Sequence, residues 1–359
     1  MSRFSSEVVF GQASVRVIVV CAILMTVLII GRTFLIPLAI AILIWVLLSA
    51  LIDRLAHLRI GQHRLPRWLA TTFGIILILI GAFLVAQILS NQASTFVAAL
   101  PQYEERLQHL FSEVLSTLGD DMASNARDAL DNLDIFSTLS TAASSVGSVL
   151  LEVSLVTLYV AFLLIDQGSL PRKFAALFPD PKEASRVSEV MSAMAHSVRR
   201  YMWVKTLTSL MTGVASYLTL RLVDVDFAET MALIIFLLNY IPNIGSILGV
   251  IFPASVALLQ FQTLVPFLVA TPILIFIQVV IGNLVEPMLM GRSLNLSSFV
   301  IILALVFWGV IWGVAGMFLS VPITVMVMII CSHINGARWI AIMLSKDGEI
   351  DSDGHADTV

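Results

Sequence analysis

The stretch AETMALIIFLLNYIPNIGSILGVIFPASVALLQFQ (228–262) decides how this chain is built. It is apolar for longer than one membrane helix requires, yet its first half, up to Tyr240, falls short of the roughly 20 residues that cross a hydrocarbon layer. Pro242, Gly245 and Gly249 interrupt it, and Pro253 follows. Proline removes a backbone donor and glycine loosens the helix. Broken backbone at membrane depth persists only where protein or water satisfies its polar groups. A re-entrant hairpin inside a protein-lined interior is therefore expected. Two ordinary spans joined by a tight turn give the same chain parity and stay open as the alternative.

A second region repeats the pattern. FVIILALVFWGVIWGVAGMFLSVPITVMVMIICS (299–332) is broken by Gly309, Gly313, Gly316 and Pro322. Each broken region follows one complete apolar run, 203–221 or 264–285. The C-terminal half thus holds one unit twice, a span followed by an interrupted hairpin. If each hairpin returns to its starting side, the first opens outward and the second inward. Paired Gly/Pro-broken segments in corresponding positions are the best sequence pointer to a transporter's substrate site.

Composition agrees with a membrane protein. Of 359 residues, 58% are hydrophobic and 12% charged, and the mean hydropathy is +0.97; a soluble domain carries about a quarter charged residues. Further candidate spans are 15–31, 34–52, 68–90 and 146–165. The expected fold class is all-α: a polytopic helical membrane protein of seven to eight transmembrane elements, two of them Gly/Pro-broken hairpins. Cys21 and Cys331 lie in apolar runs near opposite ends and suggest neither a disulfide framework nor a metal cluster. The first run lacks a small-residue cleavage site before Gly31 and reads as a retained span rather than a signal peptide.

Charge sets the expected orientation, because short basic loops stay in the cytoplasm. The loop after 34–52 holds Arg54, Arg59, Arg64 and Arg67 against Asp53, and the connection 166–202 holds Arg172, Lys173, Lys182, Arg186, Arg199 and Arg200. The segment 91–145 is mostly acidic, with Glu104, Glu105 and Asp120 among its carboxylates. Both termini are expected in the cytoplasm and 91–145 outside. Within that insert, Leu100, Tyr103, Leu107, Leu110, Val114 and Leu118 recur at helical spacing, with Pro101 suited to a first turn. Met122, Ala126, Leu130 and Leu133 suggest a second amphipathic helix. These are expected to form a packed cap or to contact lipid, a neighbouring subunit or a ligand. On the inner side, Val187, Val190, Met191, Met194, Val198 and Tyr201 read as an amphipathic helix lying at the membrane surface.

The resulting organisation is a three-span region (1–90), the outer insert (91–145), a fourth span with the inner amphipathic helix (146–202), a transport core (203–335) and a tail (336–359).

Polar residues at depth are the candidate pathway. Asn239, Asn243 and Ser246 surround the first break, where they either meet a solute or cation or only satisfy the opened backbone. Gln278, Gly282, Asn283 and Glu286 are expected on one face of 264–285, and Pro287 places Glu286 near that helix's end. Glu286 is a candidate proton or cation carrier, or a carboxylate that reaches the interface. Glu152 lies about 9 Å into its span at 1.5 Å per residue, and a buried carboxylate there should be protonated or paired. Lys205, Ser209, Thr212, Gly213 and Ser216 share a face suited to close helix packing. No GxxxxGK[ST], HExxH or GxSxG occurs, and the six histidines are dispersed. These patterns give no P-loop ATPase, zinc protease or serine hydrolase signature, and an enzyme is not expected.

FLLNYIPNIGSILG (236–249), NLVEPMLMGRSLNLSSFVIILALVFWG (283–309), WGVAGMFLSVPITVMV (312–327) and PDPKEASRV (179–187) resemble the autoinducer-2 exporter family of bacterial permeases. The resemblance covers nearly the whole chain and implies an inner-membrane protein exporting a quorum-sensing furanone; some members are described as sodium/proton antiporters. Its motif positions here are Asn239, Pro242, Asn243, Gly245, Glu286, Pro287, Gly291, Gly313, Gly316 and Pro322. The expected function is secondary export of a small polar solute, without a cofactor and with sodium or protons as coupling ion. The alternatives are a sodium (or lithium)/proton antiporter and a non-transporting membrane scaffold. Expected partners are the solute, membrane lipid and further copies of the chain, not nucleic acid.

Overall fold

A computed structural model describes residues 19–348 apart from 21, 58, 61–62, 65, 119–145, 179, 292–294 and 335. The expected second helix of the outer insert, the start of the first apolar run and the end of the tail lie outside the described residues.

The elements are helices α1 (22–30), α2 (Arg32–His57), α3 (Arg67–Leu118), α4 (Val146–Asp166), α5 (Leu170–Leu177), α6 (Pro181–Leu222), α7 (Ala228–Leu238), α8 (Ile244–Gln260) and α9 (Val265–Val280). A π-turn, Ile281–Val285, then leads into α10 (Glu286–Met290), followed by α11 (Ser298–His333) and α12 (Arg338–Leu344). A two-residue ribbon, β1 (Arg59–Ile60) against β2 (His63–Arg64), pairs Arg59 with Arg64 after α2. The protein is a polytopic helical membrane protein. Among the described residues five helical segments are long and apolar enough to cross a bilayer by length and composition: Arg32–His57, Trp68–Gln92, Gly147–Asp166, Val265–Met290 and Ser298–His333, the last of them broken at Gly313. Their outward sides carry exposed Phe83, Leu151, Phe162, Phe276 and Val310, an apolar surface of the kind that meets lipid rather than water.

Two expected boundaries dissolve into longer rods. The span 68–90 and the first helix of the outer insert are one 52-residue helix, α3. Pro101 therefore sits inside a helix rather than in a first turn. It is exposed, so the carbonyl that loses its donor is not sealed in the core. The inner amphipathic helix and the expected span 203–221 are likewise one 42-residue helix, α6. This second half is not among the five apolar helices, and its exposure explains why. Leu207, Leu210, Val214 and Leu218 face outward while Lys205, Thr208, Ser209, Thr212, Ser216 and Thr219 are buried. Polar residues turned inward lower the mean hydropathy of a helix that still shows an apolar side to lipid.

Both broken regions fold back on themselves. In the first, α7 and α8 are 11 and 17 residues long, each below the roughly 20 of a full span. Asn243 makes the tight turn with φ 61° and ψ −52°, closed by Ile244 N donating to Pro242 O at 2.6 Å. Gly245 then passes directly over the Leu238 carbonyl, where any β-carbon would collide. In α11 the helix breaks at Gly313, with φ 61° and ψ −142°, and Gly316 lies against the Trp308 carbonyl in the same way. Residues eight apart in an unbroken helix are separated by about 12 Å, so the chain has doubled back.

The bases of the hairpins lie at opposite ends of α6. At the first base, the Gln260 amide accepts from Asp226 N at 2.7 Å and donates to Asp224 O at 3.0 Å, just beyond the C-terminal end of α6. The far part of α3 clamps this base: Tyr103 donates to Asp226 and Arg106 to Gln262 O, at 3.2 and 2.8 Å. Burial first, then the charge and hydrogen bond of Asp226, push the Tyr103 phenol well above its ordinary pKa, so it stays a donor at every physiological pH. At the second base, Ser297 N donates to Leu344 O and Lys346 N to Asn295 O, while Arg186, near the N-terminal end of α6, holds His333 O. The two hairpins enter from opposite ends, as the inverted-repeat reading expects.

Candidate functional site

The hairpin tips meet beside the middle of α6. Tyr240, just past α7, has its ring 4.7 Å from that of Phe318, just past the break in α11. Thr206 gives its proton to Met202 O at 2.6 Å, so in the 2.7 Å contact between Tyr240 and Thr206 the phenol is the donor. One turn on, Asn239 Nδ2 donates to Ser209 Oγ at 3.1 Å, both groups buried. Gly213 lets α7 approach closely; a β-carbon there would stand 3.2 Å from Ala232 O.

At this crossing lies a buried ion pair. Lys205 Nζ donates to Glu286 Oε1 at 2.6 Å, with the lysine side chain 6% and the glutamate 20% exposed. Removing two charges from water costs several kcal/mol per ion, and only close pairing and further hydrogen bonds offset it. Three buried polar atoms have no hydrogen-bond partner: Tyr201 OH, one turn before Lys205 on α6, Ser216 Oγ, about three turns after it, and Gln278 Nε2 on α9. Each such group costs about 1–3 kcal/mol if left unsatisfied. A polar seam therefore runs along α6 from Tyr201 to Thr219, about 27 Å at 1.5 Å per residue. It pairs charge at one point and keeps free hydrogen-bonding capacity beside it.

The structure brings together some of the expected residues and separates others. Asn239 and Glu286 are bonded to α6 at the seam, and Gln278 is buried on α9 beside Gly249 of α8. Pro242 shapes the turn and Ser246 is half-buried on α8. Asn243 is exposed and supplies turn backbone rather than a pathway group. Asn283 does not share the buried face of Gln278 and Glu286: it is exposed, as are Pro287 and Leu284. At about 100° per residue, Asn283 stands about 140° round from Gln278 even in a regular helix; the π-turn Ile281–Val285, with its extra residue per turn, instead brings Glu286 back over the side of Gln278. The same turn accommodates Pro287, which has no N–H to give to an i−4 carbonyl. Glu286 consequently does not end its helix, which runs on to Met290 and stops at Gly291, φ 58°. Gly249 and Pro253 are buried along α8, and Pro322 is buried in α11; Gly309 packs against Met317 across the second turn. Glu152 is exposed on α4 and is not part of the seam.

Lys205 is the candidate site residue that the sequence pattern hid. Its spacing with Ser209, Thr212 and Ser216 suggested helix packing, and its partner is 81 positions away. The available signal was its charge, since a lysine within a membrane-length run is costly without a partner. Tyr201, Thr206 and Tyr240 carried no such signal.

Gly249 offers a direct test of the seam. A β-carbon at this position would stand 2.7 Å from Gln278 Nε2, a mobile side-chain end rather than fixed backbone. Gly249→Ala should therefore preserve folding and displace only the amide, raising the apparent KM for solute by about 3–10-fold, the scale of one altered neutral hydrogen bond. Kinetic measurement in proteoliposomes checks it; an unchanged KM would place Gln278 outside the pathway.

A family model for AI-2E family transporters matches residues 18–336 of the chain. The AI-2 transport protein TqsA of Escherichia coli strain K12 is 32% identical over 317 residues, covering 86% of this chain and 89% of that protein. YhhT of the same strain is 28% identical over 288 residues, covering 79% and 81%. YueF of Bacillus subtilis strain 168 is 24% identical over 284 residues, covering 74% and 76%.

Proposed function

Because the chain belongs to the AI-2E family of transporters, we propose that this multi-pass membrane transporter is a secondary exporter of a small, uncharged, hydroxyl-rich solute across a bacterial inner membrane, autoinducer-2 being the first candidate. One observation carries the reading: the Lys205–Glu286 pair sits where two oppositely inserted hairpins meet, beside buried donors and acceptors without partners.

The arrangement sets the chemistry. Tyr201 OH and Ser216 Oγ can each donate or accept, and Gln278 Nε2 donates; Tyr201 and Ser216 stand about 22 Å apart along α6 at 1.5 Å per residue, so a small solute bearing hydroxyls and a carbonyl would meet them in succession, without bringing charge. The ion pair is neutral as a whole and does not demand a charged substrate. A proton or sodium ion arriving at Glu286 would loosen its hold on Lys205 and so change what joins α6 to α10. Movement of one hairpin against the other would then open the seam to alternate sides, as in transporters built from inverted repeats. In this reading the end of α2 and the start of α6, which carry the basic loops, face the cytoplasm, as short basic loops favour.

Purified protein in liposomes, given autoinducer-2 under imposed proton or sodium gradients, tests the proposal. Gradient-driven accumulation supports it. Sodium-dependent proton movement without solute would replace it with the antiporter. Absence of both fluxes would overturn it in favour of a scaffold.

A further inference from the structure

A second polar feature adjoins the Tyr201 end of the seam, between the end of α2 and residues 196–203 of α6, where the two basic segments of the sequence come together. They enclose a cavity of about 800 Å³. From α2 come Arg54 and His57; from α6 come His196, Arg199 and Arg200. Asp53 is the single carboxylate among the lining residues, so positive charge prevails whatever the state of the histidines. We propose that this cavity binds a phosphate-bearing anion, at a site separate from the solute pathway.

Three observations carry the assignment. The Arg54 guanidinium stacks over the Trp203 ring, 5.4 Å from its centroid. A guanidinium held by this cation–π contact keeps its N–H groups for donation, and Arg suits bidentate recognition of phosphate. Arg199 Nε is a buried donor without a hydrogen-bond partner, although its side chain lines the cavity. A phosphate oxygen supplies the acceptor that the protein does not. Leu47, Ala50 and Leu51, up to two turns before Arg54 on the same α2, add an apolar stretch to the lining. A site with cations toward one end of its α2 wall and aliphatic side chains toward the other fits a phosphate ester with a hydrocarbon or glycerol portion better than a bare inorganic ion.

Position narrows the source to two. Arg54 and His57 occupy the last turn of an apolar span, the level at which basic pockets between membrane helices meet lipid headgroups. The same opening would admit a soluble phosphate monoester from the aqueous side. Both present the same chemistry to the three arginines, and the experiment separates them.

The full-length protein is reconstituted in nanodiscs of phosphatidylcholine alone and titrated with glycerol 3-phosphate, following tryptophan fluorescence. In parallel, native mass spectrometry of protein in detergent scores retention of phosphatidylglycerol. Saturable glycerol 3-phosphate binding assigns the soluble source; retained phosphatidylglycerol without it assigns the lipid. In either case Arg54→Gln and Arg199→Gln should each weaken binding at least about tenfold, the scale of one lost charge-assisted hydrogen bond. Arg172→Gln, on exposed α5 outside the cavity, should leave it unchanged. Size-exclusion profiles confirm that the variants fold. No binding of either probe, or binding that the two cavity variants leave intact, overturns the proposal.

Discussion

Replacing Glu286 with glutamine is expected to abolish gradient-driven flux and also to lower the stability of the purified protein. The two losses have different origins. Lys205 is 6% exposed and its ammonium has Glu286 as its carboxylate, 2.6 Å away. Without that charge the lysine is buried uncompensated. Breaking such a pair costs about 3–5 kcal/mol, and the lower end applies because Glu286 is 20% exposed and water screens part of the interaction. The double variant Lys205→Met with Glu286→Leu separates the roles. Exchanging a whole buried pair for apolar residues of similar size is often neutral or stabilising, so the double variant should recover most of the stability lost in Glu286→Gln. It should not recover transport. Thermal unfolding in detergent and flux in liposomes measure the two quantities on the same preparation. Transport by the stable double variant would reduce the pair to a structural role.

Gly316→Val should prevent the second hairpin from closing. A β-carbon at Gly316 would overlap the Trp308 carbonyl and also stand 2.9 Å from Trp312 Cβ. Neither neighbour can move away: one is backbone, and Trp312 is itself buried, its indole donating to Leu28 O at 2.9 Å. Overpacking of a tight contact costs about 1–3 kcal/mol where side chains can shift, and more where they cannot. Loss of membrane-inserted, monodisperse protein is the expected readout. Gly313→Ala is a milder companion, about 1–3 kcal/mol, because its fault is backbone strain at positive φ rather than overlap. Normal yields for Gly316→Val would mean that α11 runs straight through the break.

The hairpins were legible because their cause is local. Proline and glycine act on the backbone within a turn of themselves, so Pro242, Gly245, Gly313 and Gly316 announced the breaks wherever the rest of the chain went. The inverted arrangement was legible for a related reason, since it follows from repeating one unit after an odd number of crossings. The polar seam was legible only in pieces. Asn239, Gln278 and Glu286 stood out as costly groups in apolar runs, but nothing in the spacing revealed that Asn239 and Glu286 both bond to α6.

Local periodicity also misled where tertiary contacts set the outcome. Asn283 was grouped with Glu286, three residues on, but it lies about 140° round the helix from the buried Gln278, and it is exposed. Pro101 reads as a helix start, yet the helix runs through it to bring Tyr103 and Arg106 onto the first hairpin's base. The amphipathic stretch before Arg199 reads as a separate surface helix, yet it continues into the core because the polar face of 203–221 is covered by hairpins and α9 rather than exposed to lipid.

The sequence by itself determined that this protein lives in a membrane, where its chain breaks, and which loops carry the charge, because hydropathy, glycine, proline and net charge act through solvent and neighbouring residues alone. Tertiary structure alone decided which polar groups are partners. A lysine at 205 and a glutamate at 286 become one neutral unit only when α6 and α10 are packed together. Interaction between charges depends on distance and on the surrounding dielectric, and neither is set until the chain has folded.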